Sequence, residues 1–218
     1  MKYLKKFETE ADVMMFARPN VVLAADTGKV MYNVPFPNGA YIQHINGSLY
    51  TTDQWTAGVF ANDEANGVAV ISDNAKFVIA KTSLGSMAWS SDTNNAVTGV
   101  MLTSDSSTAK TDYAGAANTA LIAVDDTSGA AYACANFTFP NGVKGYLPAL
   151  GEWDDAYAYK ADIDAAMALI GGTTISGYHW ASTQRSALKA WVLGWSNGST
   201  SNDGKSSSHY SVRAFSAL

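Results

Sequence analysis

Gly145-Tyr-Leu-Pro-Ala-Leu-Gly-Glu-Trp153 is the stretch that orders everything on either side of it. Pro148 opens a helical segment, because its fixed φ suits a first turn whose N–H groups have no partner inside the helix. Glu152 follows where the positive end of the aligned peptide dipoles favours a carboxylate. Trp153, Ala156 and Tyr157 then recur at i, i+3 and i+4, one face of a helix. The spacing returns at Ile163, Ala166, Met167 and Ile170, and Gly171-Gly172 stops it. Two short helices in succession, each with one apolar face, need a surface to cover.

Residues 178–218 supply that surface. They hold three of the six Trp and ten Ser, with Asp203 the sole acidic residue against Arg185, Lys189, Lys205 and Arg213. In Ala190-Trp-Val-Leu-Gly-Trp195 the alternation places Trp191, Leu193 and Trp195 on one face, expected to be core together with Trp180. Val192 and Gly194 fall on the other face, expected to look outward. Asn197-Gly198 reads as a tight turn, and Tyr210-Ser-Val-Arg-Ala-Phe215 as a second alternating strand. Residues 199–208 contain no apolar side chain and are expected to face solvent.

Upstream, Gly67-Val-Ala-Val-Ile71 and Lys76-Phe-Val-Ile-Ala80 flank Ser72-Asp-Asn74 as a hairpin. Residues 82–130 read as irregular loops with one short helix near 114–121. Residues 1–50 read as a small α/β appendage. In it, Thr9 caps a short helix that Pro19 ends, 20–23 and 29–32 form a hairpin, and 41–45 form one more strand. The expected organisation is therefore an attachment or oligomerisation appendage over 1–50 and a ligand-binding domain over 51–218, of α+β class.

Composition narrows the function classes. The 218 residues are 47% hydrophobic and only 15% charged, against about 25% charged for an average domain. The surface must be made largely of Ser, Thr, Asn, Gly and aromatic rings. With 11% aromatic residues the chain buries enough to fold. A net charge of −5 with scattered Lys and Arg gives no basic stripe for nucleic acid. No window reaches the ~18 apolar residues of a membrane helix. The basic start at Met1 is followed by Glu8, Glu10 and Asp12 where a signal peptide would be apolar.

The reactive side chains point away from catalysis. Cys134 is the one thiol, in an apolar, strand-like setting where a buried thiol is inert. His44, His179 and His209 lie far apart with no partner at metal-ligand spacing. Asp154, Asp155, Asp162 and Asp164 fall on the solvated faces of the two helices, so calcium would have to rely on backbone carbonyls. No cofactor is indicated. What remains is a low-charge face of Val192, Gly194, Ser199, Ser201, Asp203 and His209, rimmed by Arg185, Leu188 and Lys189. Small adaptable polar groups beside rigid aromatic rings have the composition of a paratope.

The Leu147-Pro-Ala-Leu-Gly-Glu-Trp153 run resembles a signature of formylglycine-generating-enzyme-like proteins, a branch of the C-type-lectin fold. His179-Trp-Ala-Ser-Thr-Gln184, Ala190-Trp191, Gly194-Trp-Ser-Asn-Gly198 and Val212-Arg-Ala-Phe215 resemble the C-terminal region of the same branch. More narrowly, the spacing is similar to the variable proteins of diversity-generating retroelements in Bacteroidetes and their phages. The resemblance covers about residues 55–218. It implies a C-type lectin fold, two short helices on twisted antiparallel sheets, that displays a diversified, non-enzymatic binding face within 178–218.

In such systems adenines of Asn codons are mutated, giving Ser, Gly, Asp, His, Leu, Val, Arg, Ala or Tyr but never Trp, Lys or Gln. The implied variable set is Arg185, Ala187, Leu188, Val192, Gly194, Ser199, Ser201, Asn202, Asp203, Gly204, Ser206, Ser207 and His209. The implied scaffold is Trp153, Trp180, Trp191 and Trp195, with Gln184 and Lys205 also outside the alphabet. The implied partner is a protein or glycan receptor on a cell surface, met by a virion or cell-surface component. A bacterial carbohydrate-binding adhesin and a degenerate enzyme of the formylglycine-generating type are the other readings.

Overall fold

The structure is a computed structural model that describes residues 36–91 and 94–218. In chain order it contains β1 (Gly39–His44), β2 (Leu49–Tyr50), α1 (Thr52–Ala57), β3 (Ala65–Ile71) and β4 (Lys76–Ala80). Helices α2 (Ser106–Ala109), α3 (Gly115–Asp125), α4 (Ala130–Asn136), α5 (Leu150–Ala158) and α6 (Lys160–Leu169) follow. The chain closes with β5 (Tyr178–Gln184), β6 (Lys189–Gly194), β7 (Thr200–Gly204) and β8 (Phe215–Ala217). The strands form two antiparallel sheets, β2-β1-β3-β4-β8 and β5-β6-β7. The class is α+β, as the sequence predicts.

The two expected helices sit where their faces require. Helix α5 lies on β5 and β6, and α6 lies on β1 and β3. Trp153, Ala156, Ile163 and Met167 meet Val68, Val70, Phe77 and Ile79 of the large sheet and Trp191, Leu193 and Trp195 of the small one. A second cluster covers the opposite faces, joining Ala69 and Val78 to Ile122, Cys134, Trp180, Ala190 and Val192. All six Trp are at most 4% exposed. At 150–250 Å² per ring and about 25 cal/mol/Å², each contributes roughly 4–6 kcal/mol of transfer free energy before entropy is charged against it.

Four expectations change. The boundary at residue 50 falls inside the large sheet: β1 pairs with β3 from Gly39↔Ile71 to His44↔Ala65, so residues 39–50 belong to the domain. The expected helix and hairpin of residues 1–32 lie outside the described residues. Cys134 sits on a helix rather than a strand, because the Ala-rich run of 130–136 favours that conformation; Gly129 caps its start, so close to the Trp89 carbonyl that a Cβ there would come within 2.2 Å of it.

The alternating strand expected over 210–215 is regular only at its end, β8. Before it, Arg213 turns inward and donates to the carbonyls of Ala80, Lys81 and Thr173 at 2.7–3.0 Å. This segment carries the chain from one sheet to the other: Ser211 bridges to His179 of β5, and Phe215 pairs with Ile79 of β4. Lastly, β6 is buried on both faces, which overturns the outward placement of Val192 and Gly194.

Candidate functional site

The small sheet stands on a hydrogen-bonded indole framework. Trp153 Nε1 donates to the Trp180 carbonyl at 3.0 Å and Trp180 Nε1 to that of Met87 at 3.0 Å. Trp191 Nε1 donates to the Thr103 carbonyl at 3.0 Å, and Trp195 Nε1 to Asp164 Oδ1 at 2.9 Å. A buried indole N–H left unpaired is costly, and none of these four is. The β6–β7 turn is seated as firmly: Gly198 has φ +70°, and a Cβ there would come within 2.4 Å of the Tyr157 ring. Only glycine fits both the conformation and the contact.

Beneath the helices, Glu152 is buried and accepts from Ala149 N at 2.7 Å and Tyr146 Oη at 2.9 Å. Burial pushes its carboxyl up to about 7. Asp112 next to it accepts from Asn118 Nδ2 at 2.9 Å and Thr183 Oγ1 at 2.8 Å, tying α3 to β5. These carboxyls hold the framework together from inside. Burial raises the Cys134 thiol far above its ordinary value, which keeps it protonated. Among the described residues no group of three His, Cys, Asp or Glu converges to hold a metal ion.

Gln184 and Lys205 anchor the far end of the sheet. Both are fully buried. Lys205 Nζ donates to Gln184 Oε1 at 2.9 Å and to the Asn95 carbonyl at 2.8 Å, and it lies 4.6 Å from the centre of the Trp89 ring. Gln184 in turn accepts from Val97 N at 2.8 Å and donates to its carbonyl at 3.0 Å. The expectation that 199–208 faces solvent throughout is therefore wrong at Lys205, where a backbone carbonyl, an amide oxygen and an indole face stand around the ammonium.

On this base, β7 forms the exposed border. All five of its residues are half-buried. Its side chains alternate, so Ser199, Ser201 and Asp203 share the face on which Tyr178 and Trp180 lie. The Tyr178 hydroxyl is 3.3 Å from Ser199 Oγ, and its ring crosses the space that Gly194 leaves empty: a Cβ on Gly194 would come within 2.9 Å of it. Tyr210 packs edge-on against Trp180 at 4.8 Å and Tyr178 at 6.0 Å, with His209 at 4.3 Å. Asp203 accepts from Gly204 N at 2.7 Å and Ser207 Oγ at 3.1 Å, and faces His209 Nε2 at 3.3 Å. The Gly204 amide, then these side chains, hold its carboxyl below the usual range.

The residues implied as variable thus divide. Ser199, Ser201, Asn202, Asp203, Gly204 and Ser207 come together on and beside β7, with Ser206 and His209 exposed on the following loop. Arg185, Ala187 and Leu188 sit at the β5–β6 turn, where Leu188 is 55% exposed. Val192 and Gly194 are buried, Val192 in the second core cluster. Sequence reasoning passed over Tyr178 and Tyr210, which wall the face. Their signal was position: Tyr178 precedes Trp180 by one strand period, and it pairs with Gly194.

No protein-family model matches the chain, and no curated protein does. The fold is similar to that of a fimbrial protein from Bacteroides ovatus, with a TM-score of 0.60 and 13% identity. The likeness covers 84% of this chain and 49% of that one, so the chain spans about half the length of its structural relative.

Proposed function

We propose that the protein is a non-enzymatic ligand-binding protein on a C-type-lectin scaffold, whose face built by β7 and its flanking turns is diversified and meets a receptor. One observation carries this reading. Gln184, Trp191, Trp195 and Lys205, four residues near the face that adenine mutation of Asn codons cannot produce, are buried, while β7 offers Thr, Ser, Asn, Asp and Gly at half-exposed positions; Lys189, also outside that alphabet, is exposed at the start of β6. A framework so fixed tolerates change above it at little ordering cost. Display on a particle or cell surface adds avidity to individually weak sites.

Sequencing the DNA around the coding region tests diversification. The expected result is a near-copy of the codons for residues 178–218 that differs at adenines, beside a reverse-transcriptase gene. Its absence sinks that part of the reading and leaves the binding face. A second reading, an adhesin module of the bacterial surface, is favoured by the likeness to a protein described as fimbrial. Glycan-array binding that is indifferent to Ser201→Lys and Asp203→Lys would favour an adhesin that binds elsewhere on the domain.

A further inference from the structure

Among the described residues, the strand edges are paired, or open only over a few residues, with one conspicuous exception. The outer edge of β5 is fully engaged: Tyr178 O and Trp180 N bond to Ser211, Ser182 N to the Pro148 carbonyl, and Gln184 to Met101 and Thr103, all at 2.8–3.1 Å. Phe215 of β8 exchanges two bonds with Tyr146. Strand β2 is two residues long, and beyond it, among the described residues, the first three residues of β1 have no strand paired on that side. Strand β7 is five residues long and ends the small sheet.

The ladder shows which of its groups are free. Gly194 N donates to Ser199 O and Lys205 N to Leu188 O, so the residues between them in the same phase, 201 and 203, turn their backbone groups toward β6. Thr200, Asn202 and Gly204 turn theirs outward. Gly204 is satisfied locally, its N–H by Asp203 Oδ1 at 2.7 Å and its carbonyl by Ser207 N at 2.9 Å. Among the described residues nothing bonds the N–H and C=O of Thr200 and Asn202. Of the devices that blunt an edge, the strand lacks three: it has no Pro, no Lys and no bulge.

We propose that β7 receives an extended polypeptide segment of a partner as a fourth strand of the small sheet, with a basic side chain of that segment turned toward Asp203 and the Tyr178 and Tyr210 rings. This deepens the binding-face reading and rests on it. Backbone pairing supplies affinity that does not depend on which side chains β7 carries, so the strand can vary in sequence and still dock. The basic preference follows from charge: Asp203 is the only acidic residue from Tyr178 to the C-terminus, its side chain is 35% exposed, and Tyr210 stands beside it with Tyr178 packed edge-on against that ring.

The test is residue-resolved amide exchange on the full chain, with a capped alternating Thr-Lys octapeptide as probe and its Thr-Glu counterpart as control. In the free chain Thr200 and Asn202 should exchange at unprotected rates while Ser201 and Asp203 are slow. Saturating Thr-Lys peptide should slow Thr200 and Asn202 roughly tenfold, and the Thr-Glu peptide should not. Asn202→Pro removes only an outward donor, so it should abolish the peptide effect with Ser201 and Asp203 still protected.

Thr200 and Asn202 already slow in the free chain would mean that the chain covers its own edge, and would overturn the proposal. So would a peptide effect that survives Asn202→Pro, or no effect from the Thr-Lys peptide. Receptor binding lost in Ser201→Lys yet kept in Asn202→Pro would overturn strand addition while leaving the binding face in place.

Discussion

In the large sheet every residue of β3 is buried, with β1 and β4 on its flanks and helices or loops over both faces. In the small sheet burial declines from β5 and β6 to a half-exposed β7 within two strand spacings. The first sheet turns most of its side chains to packing, with one buried amide pair, Asn66 to Gln43, between β3 and β1. The second is anchored by buried indoles and by one buried ammonium just past its last strand, which leaves that strand free to carry small polar groups. Rigidity and exposure are neighbours here because the half-buried strand pairs directly with a buried one.

The largest test of that contrast is Lys205. It follows β7 directly, yet it belongs to the anchor. Lys205→Ala would remove the ammonium's bonds to Gln184 Oε1 and the Asn95 carbonyl and its seat over the Trp89 ring, at about 1.5–3 kcal/mol for each hydrogen bond to a charged group. A loss of several kcal/mol is expected in denaturant unfolding, against less than ~0.5 kcal/mol for Ser206→Ala on the exposed side. Equal effects would erase the distinction between anchor and border.

Glu152 probes the anchor by pH. Its folded value of about 7 lies above the ordinary 4.5, so the native state binds the extra proton between those values. By linkage its contribution is fully present below about 4.5 and is lost as pH rises through 7. The raised value corresponds to a few kcal/mol. Glu152→Gln should flatten stability over that window, read as unfolding midpoints from pH 4 to 8. A wild type already flat there would place the carboxyl in a more polar setting than the structure does.

Much of this was legible from residues. The helix pair could be read because a 3.6-residue period was repeated on both sides of short stops, and the β3–β4 hairpin because two apolar runs flank a polar turn. Glu152 could be placed at a helix start but not recognised as buried, since its partner Tyr146 reaches it only through the fold. Alternation misassigned Val192 and Gly194: a strand buried on both faces with small residues on one of them has the same pattern as a half-exposed strand. Lys205 was hidden for a different reason. Lysine is almost never buried, and the carbonyl and amide oxygens that accept its protons come from residues 95 and 184. For the site, the polar composition of β7 was visible, and the aromatic wall beside it was not.

Gly194 and Ser201 turn that correction into a measurement. Both belong to the alphabet implied for diversification, on adjacent strands of one sheet. Gly194→Val would drive a side chain into the Tyr178 ring and Ser199 Oγ, each within 3.0 Å of its Cβ, and should cost about 1–3 kcal/mol. Ser201→Val on the border should stay within about 0.5 kcal/mol. The expected consequence is that Gly194 is fixed among diversified copies while Ser201 varies.

Asp203 carries the smallest effect and defines the border most finely. Its carboxylate gathers the Gly204 amide, Ser207 and His209 into the loop that follows β7. Because its folded value is lowered, its contribution is present above the unfolded value near 4 and is lost as pH falls through the folded one. With the side chain a third exposed, screening limits that contribution to under ~1 kcal/mol. Asp203→Asn should therefore cost little at pH 7, and its gap to the wild type should close in acid. A gap that stayed open below pH 3 would mean that geometry, not charge, holds the loop, and Asp203 would then move from the border to the anchor.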